Sequence, residues 1–484
     1  MEKDGTRRKA IDFPARAGFL LGPLWLLLSL VVPSPDGMSQ EVWRCMGLAL
    51  LMATWWATEP IPIPVTSLLP IALVPALGIG KLDAVTAAYA NPIIFLFLGG
   101  FLLGISMQRW NLHLRIALRI LSLVGPQPQR QIGGFMMATG FLSMWVSNTA
   151  TAVMMLPIGM SVISLLGKDQ DEVELNRYAT ALLLAIAYAA SIGGIATLIG
   201  TPPNALLVAY LSKSHGINIG FAQWMAIGLP VAIIMMGVAW WWLTRGGFRL
   251  RLETDAETSM QKGSEQLGSM SMAERLVAMV FVLAGTAWVL SPTLRTAGVA
   301  WMSDTVIAIL AGIILFVLPS GRQDQARLLV WDDAKKIPWG VLLLFGGGLA
   351  LADVIKDTGL AAWIADQLSL LGTLPSILLI GMVVLVIIFL TEVTSNTATA
   401  AAFLPLLGAL AVSANVNPLL LTVPAAIAAS CAFMMPVATP PNAIVFATGQ
   451  LRIQSMMRAG LFLNIAGTFI LTLLVTGLVR LFWL

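Results

Sequence analysis

Long uncharged apolar runs recur along the chain, separated by short charged clusters such as "MEKDGTRRKAIDFPAR", "RGGFRLRLETDAETSMQKGSEQ" and "GRQDQARLLVWDDAKK". A helix packed on a water-soluble core carries polar residues on its outer face at every turn, and these runs do not. Crossing about 30 Å of hydrocarbon takes about 20 apolar residues in a helix. By that ruler the pattern predicts eleven spans: 17–33, 42–58, 62–78, 92–107, 177–198, 222–244, 274–291, 301–318, 339–355, 418–437 and 459–483. The expected fold is an all-α polytopic membrane protein.

Two further apolar stretches, 131–166 and 374–412, break the pattern in the same way. Each holds the tripeptide SNT near its middle, at Ser147–Asn148–Thr149 and Ser395–Asn396–Thr397, and each continues into a proline. Divided there, each arm is about 15 to 20 residues, or about 22 to 30 Å of helix, which suits a re-entrant hairpin with a polar tip inside the bilayer. The likeness extends further. "LFLGGFLLG" at 96–104 matches "LLFGGGLAL" at 343–351, and "GTPPNALL" at 200–207 matches "ATPPNAIV" at 438–445. The order is conserved between the halves: a Gly-rich span, a hairpin with SNT, then a helix broken at TPPN, which marks an internal repeat. An odd number of spans, those starting at 177, 222, 274, 301 and 339, separates the two SNT motifs, so the second copy is inverted relative to the first. The predicted organisation is an N-terminal tail and first span (1–41), repeat 1 (42–244, broken at 200–204), a cytoplasmic linker (245–273) and repeat 2 (274–484, broken at 438–442).

Composition agrees with this parse: 58% of residues are hydrophobic, 11% are charged and the mean hydropathy is +0.87. With the N-terminus in the cytoplasm, 22 Lys and Arg fall inside; the six outside are Arg44, Lys81, Lys213, Arg295, Lys356 and Arg480. That bias follows the positive-inside rule, and it assigns the net charge of +4 to cytoplasmic loops rather than to a nucleic-acid partner. The basic start followed by "AGFLLGPLWLLLSLVVP" reads as a retained first span, since no A-x-A cleavage site follows. The segments 109–125 and 356–372 have apolar residues at helical spacing with polar ones between, as interfacial helices do. Cys45 and Cys431 read as inert core thiols, and His113 and His215 lie too far apart in the chain to suggest a metal site. Trp55, Trp56, Trp240, Trp241 and Trp242 fall at predicted span ends and read as interface anchors. The Gly-rich segments read as sites of close helix packing, not as a nucleotide loop.

Paired inverted repeats with broken helices are the sequence mark of a secondary transporter site. The SNT tips offer hydroxyl and amide groups without fixed charge. Their N–H donors suit a carboxylate, and their oxygens suit a hard cation such as sodium. A half-helix starting at each tip adds a partial positive charge. Consecutive prolines in TPPN remove two donors, leaving the carbonyls of Gly200 and Ala438 for an ion, with the Thr201 and Thr439 hydroxyls at the same break. Asn204 and Asn442 follow as expected caps of the new half-helix. No Arg or Lys lies within 131–166 or 374–449, so an anion bound there must be balanced by dipoles and co-transported cations. Glu392 has the apolar Met144 as its counterpart, so the symmetric site does not need it and a structural or tuning role is expected; proton carriage is the alternative. A hydrolase using the tip serines lacks a base common to both tips.

These motifs, and "FLTEVTSNTATAAAFLP" in particular, resemble the divalent anion/sodium symporter family of sodium-dependent dicarboxylate, citrate and sulfate transporters, from about residue 40 to the end. The resemblance implies a homodimer in which a transport domain moves like an elevator against a scaffold. It implies a first sodium site at Ser143, Ser147, Asn148 and the Gly200 backbone, and a second at Thr391, Ser395, Asn396 and the Ala438 backbone. Substrate would be held by Asn148, Thr149, Asn396 and Thr397, with Thr201, Pro202, Thr439 and Pro440 close by. Ser143 and Thr391 both place a hydroxyl four residues before the motif serine. The expected activity is sodium-coupled uptake of a C4-dicarboxylate (succinate, malate or fumarate) across the inner (plasma) membrane. A dicarboxylate exchanger and a sodium-coupled citrate or sulfate carrier are the alternatives.

Overall fold

The computed structural model describes residues 13–125, 127–166, 171–248, 250, 268–299, 301–322, 326–367 and 374–484. Most of the linker expected over 245–273, the start of the N-terminal tail and the end of the segment 356–372 lie outside the described residues. The apolar runs fold as helices whose starts are set by short polar side chains. Ser39, Asn91, Asp171, Ser303 and Asn417 each accept a hydrogen bond from a first-turn N–H, at 3.0–3.3 Å. Ser271 and Glu274 form a reciprocal capping box. Among the described residues, eight helices are long and apolar enough to cross a membrane: Pro14–Val31, Leu82–Arg109, Glu172–Ile195, Phe221–Thr244, Met272–Thr296, Trp339–Asp357, Asn396–Ser413 and Ile453–Phe482.

Four of the eleven predicted spans are not among these eight, whereas Asn396–Ser413, expected as a hairpin arm, is. The run 42–58 is the helix Gln40–Thr58 and 301–318 the 14-residue helix Asp304–Val317, and two others come out differently. The run 62–78 divides into Ile63–Thr66 and Leu69–Ala76, with Pro70, which has no N–H to continue the first helix, opening the second. The run 418–437 is helical only over Pro418–Ala428, and the chain then continues irregularly to Pro440. Trp56 is also not an interface anchor. It is 1% exposed, and its indole N–H donates to Ser67 Oγ at 3.1 Å.

Both SNT stretches form pairs of helices joined by four-residue turns. In the first, Pro128–Ser143 and Asn148–Leu166 flank Met144–Ser147; in the second, Ser376–Thr391 and Asn396–Ser413 flank Glu392–Ser395. Each pair packs on the half-helix that leads to its own TPPN break, Glu172–Ile195 or Pro418–Ala428. The half-helices after the breaks cross over. Pro202–His215 packs on the second pair, and Pro440–Phe446 packs on the first. The two repeats are thereby interlocked around their breaks. Glycine makes the closest approaches possible: a Cβ on Gly193 would collide with the Gly140 backbone, one on Gly99 with Ala308 and one on Gly347 with Ser67. The Gly-rich segments therefore serve close helix packing.

Candidate functional site

At each tip the second arm starts at the motif asparagine, so the first-turn N–H groups of Asn148–Leu166 and Asn396–Ser413 open at the tips. Ser147 Oγ accepts from Ala150 N at 3.3 Å, whereas Ser395 has the dihedrals of a cap without a side-chain bond. The hydroxyls four residues earlier behave alike. Ser143 Oγ lies 2.6 Å from both Asn148 Oδ1 and Ala190 O. Thr391 Oγ1 lies 2.8 Å from Asn396 Oδ1 and 2.9 Å from Ala429 O. Each hydroxyl is fully buried and has one proton for two acceptors, so each cluster has an excess of oxygen lone pairs turned inward.

The breaks complete the picture. A Cβ built on Gly194 would sit 2.7 Å from Asn148 Oδ1 and 3.0 Å from Gly200 O, so these two oxygens border one small space that the glycine keeps open. Among the described residues no hydrogen bond falls on the Gly200 or Ala438 carbonyl. Thr201 and Thr439 are 2% and 4% exposed, and both hydroxyls face protein groups: Thr201 Oγ1 lies 3.5 Å from Ser430 Oγ, and Thr439 Oγ1 accepts from Asn442 N at 3.3 Å. Thr149 and Pro440 are exposed, while Asn148, Asn396, Thr397 and Pro202 are half-buried. The accessible surface around the tips therefore includes the SNT residues and the prolines, with Val393 and Val437 exposed beside the second tip and break.

Asn204 and Asn442 do not cap the half-helices that follow them. Their amide groups turn back and donate to carbonyls at the end of the preceding segment. Asn204 reaches Gly194, Ile195 and Thr197 at 2.8–3.3 Å, and Asn442 reaches Ala432 and Met435 at 3.0–3.1 Å. The terminal carbonyls of a broken helix lack the N–H groups of a following turn, and a side-chain NH2 supplies donors in their place, joined at Ile195 O by the Trp224 indole and at Met435 O by Ala438 N.

Glu392 is buried and accepts hydrogen bonds from Phe433 N (2.7 Å), Met434 N (2.9 and 3.0 Å), Met435 N (2.9 Å) and Asn464 Nδ2 (2.8 Å). Its carboxylate takes up N–H groups that the helix would otherwise have paired, which explains why Pro418–Ala428 ends early. In the first repeat Glu172–Ile195 runs five residues closer to its TPPN, and Met144 holds the break with its carbonyl, which accepts from Thr197 Oγ1 at 2.5 Å. Glu392 thus ties the second break to the helix that carries Asn464, the contact pattern a structural role would use. Sequence reasoning missed Gly194, Thr197, Ser430 and Asn464. Only Asn464 had a visible signal, a single amide within "LFLNIAGTF". The histidines are separate: His113 Nδ1 meets Met107 O at 2.9 Å, and His215 Nε2 meets Tyr210 OH at 3.0 Å.

Comparison with known proteins fits this arrangement. At the level of fold alone, the chain resembles the MtrF structure of Neisseria gonorrhoeae (TM-score 0.58, 12% identity, covering 96% of this chain and 95% of that one). It also resembles the YdaH transporter of Alcanivorax borkumensis (TM-score 0.56, 14% identity, covering 98% and 99%). In sequence it is 43% identical over 480 residues to the sodium-dependent dicarboxylate transporter SdcS of Staphylococcus saprophyticus, covering 97% of this chain and 92% of that protein. It is 44% identical over 478 residues to SdcS of Staphylococcus aureus strain bovine RF122, with the same coverage. The family model for the sodium:sulfate symporter transmembrane region matches residues 19–484, which include both tips and both breaks, and the chain belongs to that family.

Proposed function

We infer that the protein is a secondary transporter that couples sodium entry to uptake of a C4-dicarboxylate such as succinate, malate or fumarate. The observation that carries this reading is the duplicated cluster in which a buried hydroxyl faces an asparagine oxygen and a backbone carbonyl of the helix leading to the break, once at Ser143 and once at Thr391. Its relatives of 43–44% identity are sodium-dependent dicarboxylate transporters.

On this reading Ser143, Ser147, Asn148 and the Gly200 carbonyl hold one sodium ion, and Thr391, Ser395, Asn396 and the Ala438 carbonyl hold the other. The dianion lies between the tips, one carboxylate toward the amide and hydroxyl of Asn148 and Thr149, the other toward Asn396 and Thr397. Pro202 and Pro440 form the adjoining wall, and Thr201 and Thr439 stand behind it. With no lysine or arginine within 131–166 or 374–449, two sodium charges and two helix N-termini must offset the dianion, so an empty cation site makes a poor anion host. This is the physical basis of coupling.

The two hairpins are re-entrant, and with the broken helices they form a body that moves across the membrane against a scaffold, in a homodimer whose N-termini face the cytoplasm. The repeats run over 42–244 and 274–484, joined by the linker 245–273. The test is uptake of labelled succinate into proteoliposomes under an inward sodium gradient and under an equal potassium gradient. Uptake with sodium alone is expected. Equal uptake with potassium overturns the coupling, and counterflow without any cation gradient identifies an exchanger.

A further inference from the structure

An apolar groove of about 550 Å³ runs between the first arm of the first hairpin and the helix Phe221–Thr244. Gly133 and Gly140 lie on one wall and Gly237 on the other; a Cβ on Gly237 would meet nothing within 4 Å, whereas one on Gly133 would meet Trp240 Nε1 at 3.1 Å and one on Gly140 the flexible end of Met236. One end is basic and aromatic: Arg130 lines it, and the Trp240 indole N–H bridges to Gln129 O at 2.9 Å. Arg130 is exposed and has no ion-pair partner among the described residues. The other end is closed by Met144, Gly193 and Ala196. These belong to the turn and the break beside the Ser143 cluster, where Met144 O is held by Thr197.

An exposed tryptophan beside an arginine marks the headgroup level of a bilayer. From Arg130 to the turn is about 21 Å at ~1.5 Å per residue, enough to pass through one leaflet's hydrocarbon of about 15 Å. A hydrophilic ligand gains nothing from such walls. A single acyl chain fits their shape, and a phosphate at its head meets the unpaired guanidinium, which binds phosphate with two parallel N–H bonds. We propose that this groove is a binding site for an anionic phospholipid, with one acyl chain lying along Gly133, Gly140 and Gly237 and the phosphodiester on Arg130. The chain end then rests on the back of the first tip, so lipid occupancy steadies the turn that carries Asn148.

Native mass spectrometry of the full-length protein, extracted from membranes and titrated with phosphatidylglycerol and with phosphatidylcholine, tests this directly. The wild type is expected to retain phosphatidylglycerol in preference to phosphatidylcholine. Arg130→Gln should bind phosphatidylglycerol about fivefold more weakly, the weight of one basic residue near a membrane surface, and should lose the preference. Gly237→Phe, whose Cβ would meet no protein atom within 4 Å, projects its ring into the trough, and it should exclude both lipids from this site while the protein keeps its wild-type melting temperature. Retention of phosphatidylglycerol at wild-type affinity by both variants overturns the proposal. So does a Gly237→Phe protein that changes oligomeric state with no change in bound lipid, which would make the groove a contact between copies of the chain. The readout is lipid mass, so it stands whether or not the succinate uptake expected above is observed.

Discussion

Replacing Glu392 by glutamine exchanges one heavy atom and should loosen the whole second break. The carboxylate serves four donors, the N–H groups of Phe433, Met434 and Met435 and the Asn464 amide. Glutamine has one acceptor oxygen. Placed at Oε1 it keeps Phe433, Met434 and Asn464 but turns an NH2 group toward Met435 N. An orphaned buried N–H costs about 1–3 kcal/mol, and three charge-assisted bonds made neutral lose about 1 kcal/mol each. Removing the buried charge also removes its desolvation cost, which offsets part of this and leaves about 2–4 kcal/mol. Because the loosened segment leads to Ala438 and Thr439, the effect should reach the proposed second cation site. The expected result is a lower melting temperature for the purified protein and at least a tenfold rise in the sodium concentration for half-maximal uptake, equivalent to about 1.4 kcal/mol. If Glu392 carried protons instead, the variant would flatten the pH profile of uptake and leave sodium dependence unchanged. Wild-type melting and wild-type sodium dependence together would refute the structural role of Glu392.

Neighbouring glycines should separate site from scaffold. Gly194→Ala pushes on Asn148 Oδ1 and Gly200 O and should raise the half-saturating sodium at least tenfold in a folded protein, whereas Gly193→Ala collides with backbone and should lower the yield of folded protein, as size-exclusion profiles would show. The double variant Asn148→Ala, Asn396→Ala should abolish uptake while the protein elutes as wild type; unchanged uptake would sink the site assignment. Thr391→Val loses one hydroxyl, about 1 kcal/mol of stability, but should abolish sodium-driven uptake, and Thr391→Ser should restore it.

The elements legible in the sequence were those fixed by local chemistry. SNT and TPPN announce a turn and a break wherever they stand, since a polar tripeptide inside an apolar run and a double proline disrupt a helix through their own atoms. Caps such as Ser39 and Asn417 work over two or three residues and are equally local. What was not legible depended on partners distant in sequence. The early end of Pro418–Ala428 is set by a carboxylate on another helix, and the inward position of Trp56 by Ser67 across a bend made by prolines. Asn204 and Asn442 stand where a cap belongs, but the nearest unsatisfied groups are the carbonyls behind them, and only the folded break shows that.

The same contrast separates the two halves of the site. Their inner polar groups are alike, a hydroxyl facing an asparagine oxygen and a backbone carbonyl, yet their supports do not match. The first break is held by backbone packing, Gly193 on Gly140, and by the Thr197 bond to Met144 O. The second is held by a buried carboxylate tied to the C-terminal helix through Asn464. At the position corresponding to Gly194 the second repeat carries Ala432, which is tolerated because the backbone there has already left the helix. The proposed ion sites therefore draw on like polar groups that each half holds in place by different packing. Substitutions in the supports are consequently expected to act on one half at a time, whereas substitutions in the proposed ligands act on chemistry common to both.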